Sequence, residues 1–257
     1  MTDPFFSVYH STFQNGLGFH AVRQNGTQMS VIYVVVATGS IDEGEHTGCG
    51  LSHFLEHMLF EGTEGVQESI ADQVSAWGGY VNAFTSFHQT VYYFEVPARH
   101  TYEAMRLLGS MIQKPLFREE AFITEKDIIL RERDMCVDRP GTLLFEKFCS
   151  TVFHTHPLRH PIIGYREKIL EVNREMMVNY YRNRYTASNC DLVIVSPESP
   201  LKLETVAEKV FGNMPRGVLA PVIHPQEPQQ LVQRHSQLTF AEPLARIQIG
   251  GIMPGGL

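Results

Sequence analysis

Two histidines four positions apart, His53 and His57, with Glu56 directly before the second, constrain the fold of this chain more than any other stretch. The run reads His53-Phe54-Leu55-Glu56-His57. If helical, it sets both imidazoles on one face at i and i+4, with Glu56 beside them at i+3. Zinc suits such a pair, because two neutral imidazoles and one carboxylate leave a fourth position for water, whose proton a nearby carboxylate can accept. The chain must therefore fold so that a further Asp, Glu, His or Cys reaches the pair from elsewhere. Set against this, the sequence holds 12 His, so composition alone could supply the spacing, and a motif match is only a hypothesis about chemistry.

One downstream segment offers the missing carboxylate. Apolar residues at 122, 123, 128, 129 and 130 among charges predict an amphipathic helix of about four turns from near Glu119. Glu125 and Glu132, seven apart, then share a face. The plainer reading makes both of them surface carboxylates that pair with Lys126, Arg131 or Arg133.

Taken together, these residues resemble the pitrilysin, insulysin and mitochondrial processing peptidase family of inverted zinc metallopeptidases, whose motif is HxxEH in place of the commoner HExxH. The likeness extends over roughly residues 15 to 215. Gly48-Cys49-Gly50-Leu51-Ser52 is similar to the family's lead-in, and Met58-Leu59-Phe60-Glu61-Gly62-Thr63 to its exit. Gly79-Tyr80-Val81-Asn82-Ala83-Phe84-Thr85 resembles its Asn-Ala-x-Thr strand, and Ile163-Gly164 precedes a helix and residues 185–189 in the family's order.

The resemblance implies roles. His53, His57 and Glu132 would be the metal ligands for one Zn2+ per chain, and Glu56 the catalytic general base. Glu125 would support the site by orienting a ligand. The implied reaction is hydrolysis of peptide bonds in peptides or small unfolded proteins. In the family the Asn-Ala-x-Thr strand lies at a sheet edge, where an extended peptide can pair with the main chain. On that basis Asn82, Ala83, Phe84 and Thr85 are expected to bind substrate. From the residues alone, 80–85 and 90–96 read as a hairpin through Ser86-Phe87-His88-Gln89, and Asn82 could equally cap a turn in an inner strand.

Other conspicuous residues read as structural. His154, His156 and His160 lie in a loop interrupted by Pro157 and Pro161, which gives no ligand geometry. Trp77, at the end of a helical stretch from about 67, precedes Gly78-Gly79 and reads as a packing residue at a helix stop.

Hydrophobic residues make up 43% and charged residues 19%, enough apolar material for a sizeable core and too much for disorder. A formal net charge of -7 gives no electrostatic footprint for nucleic acid or anionic membrane. No apolar run reaches the roughly 18 residues that would mark a membrane span. Residues 1–4 lack the pattern of a secretory signal, and cysteines 49, 136, 149 and 190 show no CxxC spacing. A cytoplasmic, reducing location is expected.

Along the chain, 5–17 and 19–24 predict a hairpin through Asn15-Gly16, and 29–38 an apolar strand. The metal helix follows, then helices near 67–77, 99–114, 142–152, 174–184 and 201–211, with a strand over 191–196. This order suggests an α+β fold: a mostly antiparallel sheet covered on one face by helices, as in the metal-bearing half-unit of the pitrilysin family. Residues 1–215 form that domain. Prolines 215, 221, 225 and 228 mark 216–235 as a linker, and alternation over 236–252 predicts a strand. Since the family carries two similar units in succession, 236–257 is expected to be the first strand of a second, truncated α+β repeat. The partners implied are a peptide substrate and a second half-unit, in the same longer chain or a separate subunit; a dimer is one such arrangement. The competing function is a non-catalytic scaffold or partner subunit of the same fold.

Overall fold

A computed structural model describes residues 8–66, 69–218, 222–241 and 243–253. Among them, six strands share one sheet in the order β1-β2-β6-β3-β5-β4: β1 (Val8–Thr12), β2 (Gly18–Arg23), β3 (Met29–Val36), β4 (Tyr80–Thr85), β5 (Thr90–Pro97) and β6 (Cys190–Ser196). Every pairing is antiparallel except β2 with β6. The register lines up one row of side chains across the sheet, running Ala21, Ile194, Ile32, Phe94 and Val81. Four of these are buried and Val81 packs against the same core, whereas Val31, Tyr33, Tyr93 and Val193 on the opposite face are half-buried. Alternation along the strands, broken at Thr90–Tyr92 of β5 where three successive residues are buried, thus gives a sheet with one core face, as the sequence predicted.

The helices are α1 (Leu51–Phe60), α2 (Ile70–Ala76), α3 (Thr101–Gln113), α4 (Glu119–Val137), α5 (Pro140–Val152), α6 (Arg166–Glu171), α7 (Arg174–Arg184) and α8 (Pro200–Phe211). A 3-10 segment, Ser40–His46, leads toward α1. The first predicted hairpin forms with its turn at Asn15-Gly16, and its predicted residues 5–7 lie outside the described part. The same holds for residues 67–68 of the predicted second helix, which begins at Ile70 with Ser69 as its cap. Trp77 caps the C-terminus of α2 and stacks on His100 with ring centroids 5.5 Å apart.

Two expectations need correction. The glutamate helix is longer than four turns: α4 runs 19 residues, because no glycine or proline interrupts the sequence between Glu119 and Arg139. The strand expected over 236–252 is not formed by residues 236–241 or 243–252. Alternation alone does not make a strand; it needs a neighbour with an unpaired edge. This tail instead lies over α5. Arg234 donates to the Val152 carbonyl, Ser236 Oγ lies 2.8 Å from Thr151 Oγ1, and a Cβ on Gly250 would collide with the Phe148 ring. Residues 219–221, 242 and 254–257 of the expected linker and strand lie outside the described residues.

The His-rich loop holds this tail. Glu227 accepts backbone N–H groups from His154, Thr155 and His156, the last two at 2.9 Å. Desolvation pushes its carboxyl up, but these N–H groups outweigh it and hold the group at about 2.

Candidate metal centre

The lead-in to α1 is shaped by close approach. Gly50, at the N-cap, has φ 66°, and a Cβ there would fall 2.1 Å from the Ile163 carbonyl oxygen. Gly164 has φ 87° and would collide in return with the backbone at Cys49 and Gly50. Glycine at both positions lets two backbone segments touch, and the Tyr165 N–H then donates to the Gly48 carbonyl at 2.9 Å. This contact explains why Gly48-Cys49-Gly50 and Ile163-Gly164 occur together in one sequence.

From that start α1 buries Leu51, Phe54, Leu55, Met58 and Leu59 and turns His53, Glu56 and His57 toward a common side. Phe54 stacks on Phe122 of α4 with centroids 4.8 Å apart, a contact worth about 0.5–1.5 kcal/mol beyond area burial. Helix α4 is held from its other flank by Arg133, whose Nη1 and Nη2 donate to the two Glu146 oxygens of α5 at 2.5 and 2.9 Å. Such a fork fixes position well, since a buried guanidinium with one partner removed would be costly. Helix–helix packing therefore sets where the α4 carboxylates meet the α1 histidines.

Glu132 Oε2 lies 3.7 Å from both His53 Nε2 and His57 Nε2. One ligand atom from each of His53, His57 and Glu132 falls within 4.8 Å of the others, and no further metal-binding group of this kind occurs among the described residues. Tetrahedral zinc with bonds of 2.0–2.2 Å separates its ligand atoms by roughly 3.3–3.6 Å. The three donors thus stand close to the required spacing. His57 Nδ1 meets Glu125 Oε2 at 2.9 Å, which leaves its Nε2 to face Glu132. Glu125 and Glu132 thus face the histidines of α1, and neither forms an ion pair with Lys126, Arg131 or Arg133 among the described residues. Glu125 is buried against His57, Lys126 donates to the Leu170 and Val172 carbonyls, and Arg133 is engaged by Glu146.

Electrostatics treat the two imidazoles differently. Burial, aided by the neighbouring His57, holds His53 down at about 3, so its imidazole is neutral at physiological pH. Burial also pulls His57 down, but the Glu125 hydrogen bond and the charges of Glu56, Glu125 and Glu132 outweigh it and raise the group. Glu56 is raised by burial against the opposing Thr85 hydrogen bond and His57 charge.

Strand β4 is the sheet edge beside this centre. Thr85 Oγ1 donates to Glu56 Oε2 at 2.5 Å, a contact the sequence reading did not anticipate. Ala83, Val81 and Thr85 alternate inward, while Tyr80, Asn82 and Phe84 are exposed on the other face. The Asn82 amide donates to Tyr80 Oη at 2.8 Å and its carbonyl oxygen accepts the Ala83 N–H at 2.9 Å. A cavity of about 270 Å³ adjoins the centre, lined by His53, Glu132 and Thr85 with Phe87, Phe145 and Ile163 among its apolar walls.

The chain belongs to the family described as "Insulinase (Peptidase family M16)", which matches residues 20–166. A second match, "Peptidase M16 inactive domain", covers residues 171–255. The folded unit crosses that division, since β6 lies between β2 and β3 of the same sheet. An uncharacterized zinc protease of Rickettsia felis is 31% identical over 208 residues, covering 80% of this chain and 50% of the relative. The beta subunit of the mitochondrial-processing peptidase of Neurospora crassa is 30% identical over 213 residues, covering 82% and 44%. A protease from Helicobacter pylori superposes with a TM-score of 0.83 at 23% identity, covering 90% of this chain and 56% of that one, and shares the fold. The chain spans about half the length of the curated relatives it matches.

Proposed function

We propose that this chain carries the catalytic centre of a zinc-dependent endopeptidase that hydrolyses peptides or small unfolded proteins. The convergence of His53, His57 and Glu132 within 4.8 Å, with buried Glu56 at its side, carries the reading. His53 and His57 would hold zinc through Nε2 and Glu132 through Oε2. Bound there, zinc would supply Lewis-acid polarisation of the scissile carbonyl and lower the pKa of water.

Glu56 acts as general base. Burial raises its carboxyl toward the operating pH, where proton transfer in both directions is efficient. Thr85 holds Oε2, which leaves Oε1 to accept the water proton and return it to the leaving amine. An extended peptide pairs with the free edge of β4, and Asn82, Ala83, Phe84 and Thr85 contact it. The cavity beside His53 and Glu132 accepts an apolar side chain through Phe87, Phe145 and Ile163. The names of the relatives support a zinc protease. A second family-type unit, in the same or another chain, would complete the substrate chamber. The four unpaired cysteines accord with a cytoplasmic location.

Cleavage of an unstructured peptide, with and without chelator and beside Glu56→Gln, tests the reading. Zinc-dependent cleavage that Glu56→Gln abolishes is expected. A protein that takes up no zinc, or one that binds zinc yet cleaves nothing when joined to its second unit, favours the scaffold reading instead.

A further inference from the structure

The two histidines are aimed by different means. Glu125 grips the remote nitrogen of His57, whereas His53 Nδ1 is buried without a hydrogen-bond partner among the described residues. An imidazole with no hydrogen bond at its far side is aimed by ring packing, here edge-on to His57 with centroids 4.8 Å apart, and by its backbone. That backbone is the first turn of α1. Its N-cap, Gly50, has no side chain to satisfy the first N–H groups, and no acidic residue lies in the turn.

Glu43, from the preceding 3-10 segment, fills the gap. It is 3% exposed, and its Oε1 accepts the Ser52 N–H at 2.9 Å. The N–H groups of Gly50 and Leu51 also favour its charge. Ser52 directly precedes His53 and is held at its hydroxyl too: Oγ donates to the Gly39 carbonyl at 3.0 Å and lies 2.7 Å from Tyr180 Oη. A serine hydroxyl has one proton, so Tyr180 is the donor in that second contact.

We infer that Glu43 is a positioning residue. With Ser52 and Tyr180 it fixes the first turn of α1 so that His53 Nε2 faces the metal position, and it thereby sets zinc affinity from outside the ligand shell. The inference rests on the zinc reading of the site.

The test measures zinc affinity by chelator competition, together with the visible absorption of the Co2+-loaded protein, for wild type, Glu43→Ala, Glu43→Gln and Tyr180→Phe. Glu43→Ala is expected to weaken zinc binding about tenfold, the scale of lost outer-shell support. Glu43→Gln keeps an oxygen for the Ser52 N–H and should stay within about threefold of wild type. Tyr180→Phe should fall between them, with a shifted cobalt spectrum. Wild-type affinity and an unchanged cobalt spectrum in both Glu43→Ala and Tyr180→Phe would overturn the inference and leave Glu43 an ordinary helix cap. Should Glu43→Ala not fold, Tyr180→Phe decides, since it removes only a hydroxyl; unchanged zinc affinity there overturns the inference. A wild-type protein without zinc affinity overturns the zinc reading itself, which separates the two failures.

Discussion

The two ends of α1 do the same job by opposite routes. At its C-terminal turn, His57 is held by its ring, through a direct contact with Glu125 of α4. At its N-terminal turn, His53 is held by its main chain, through Ser52, while its ring Nδ1 has no hydrogen-bond partner among the described residues. A ring contact can be lost to one side-chain change. A main-chain anchor distributes the constraint over Glu43, Gly39 and Tyr180.

The largest effect erases the comparison. His53→Ala, His57→Ala or Glu132→Ala each removes a third of the ligand set, and the dialysed protein should contain no stoichiometric zinc by elemental analysis. Full zinc occupancy in any of the three would remove that residue from the ligand set. Glu125→Ala sharpens the comparison, because only His57 depends on it. A fall in zinc affinity of about 10–100-fold is expected, measurable by chelator competition.

Thr85→Val leaves both histidines untouched and acts on Glu56. Burial already holds that carboxyl above the ordinary range, and the Thr85 hydrogen bond works against the rise. Losing it should move the acid limb of the kcat/KM profile to higher pH and lower the rate at neutral pH about three- to tenfold. Zinc affinity should not change.

The smallest effect is on stability. Burial pushes Glu43 from 4.5 up to about 8. A folded-state value above the unfolded one means the group's stabilising contribution is complete below pH 4.5 and is lost as pH rises to about 8. Metal-free protein should therefore melt at lower temperature at pH 8 than at pH 5, by about 2–4 °C for each kcal/mol of this term. Glu43→Gln should flatten that slope, and an unaltered slope would locate the pH dependence elsewhere.

Much of the site was legible in the sequence. The i, i+4 histidines and the heptad-spaced Glu125 and Glu132 declare themselves through helical periodicity, because one helix face is a local property. The order of strand runs and helices likewise suggested a mostly antiparallel sheet covered on one face. The Thr85 contact with Glu56 was not legible. It depends on β4 lying at the edge beside α1, and nothing local to Thr85 encodes that. Glu43 left no signal either, since an acidic residue before a helix is ordinary until folding buries it. The described residues of 236–252 form no strand for the converse reason: the alternation is real, but pairing is a property of two segments and not of one.

By itself the sequence determined which side chains could share a face and which chemistry they could carry, because rotation per residue along a helix or strand is fixed by local backbone geometry. Only the tertiary structure decided that Glu132 reaches both His53 and His57, that Glu125 meets one imidazole and not the other, and that Glu43 closes the end of α1. Those distances follow from how α1, α4 and β4 pack, and packing is set by contacts between residues far apart in the chain.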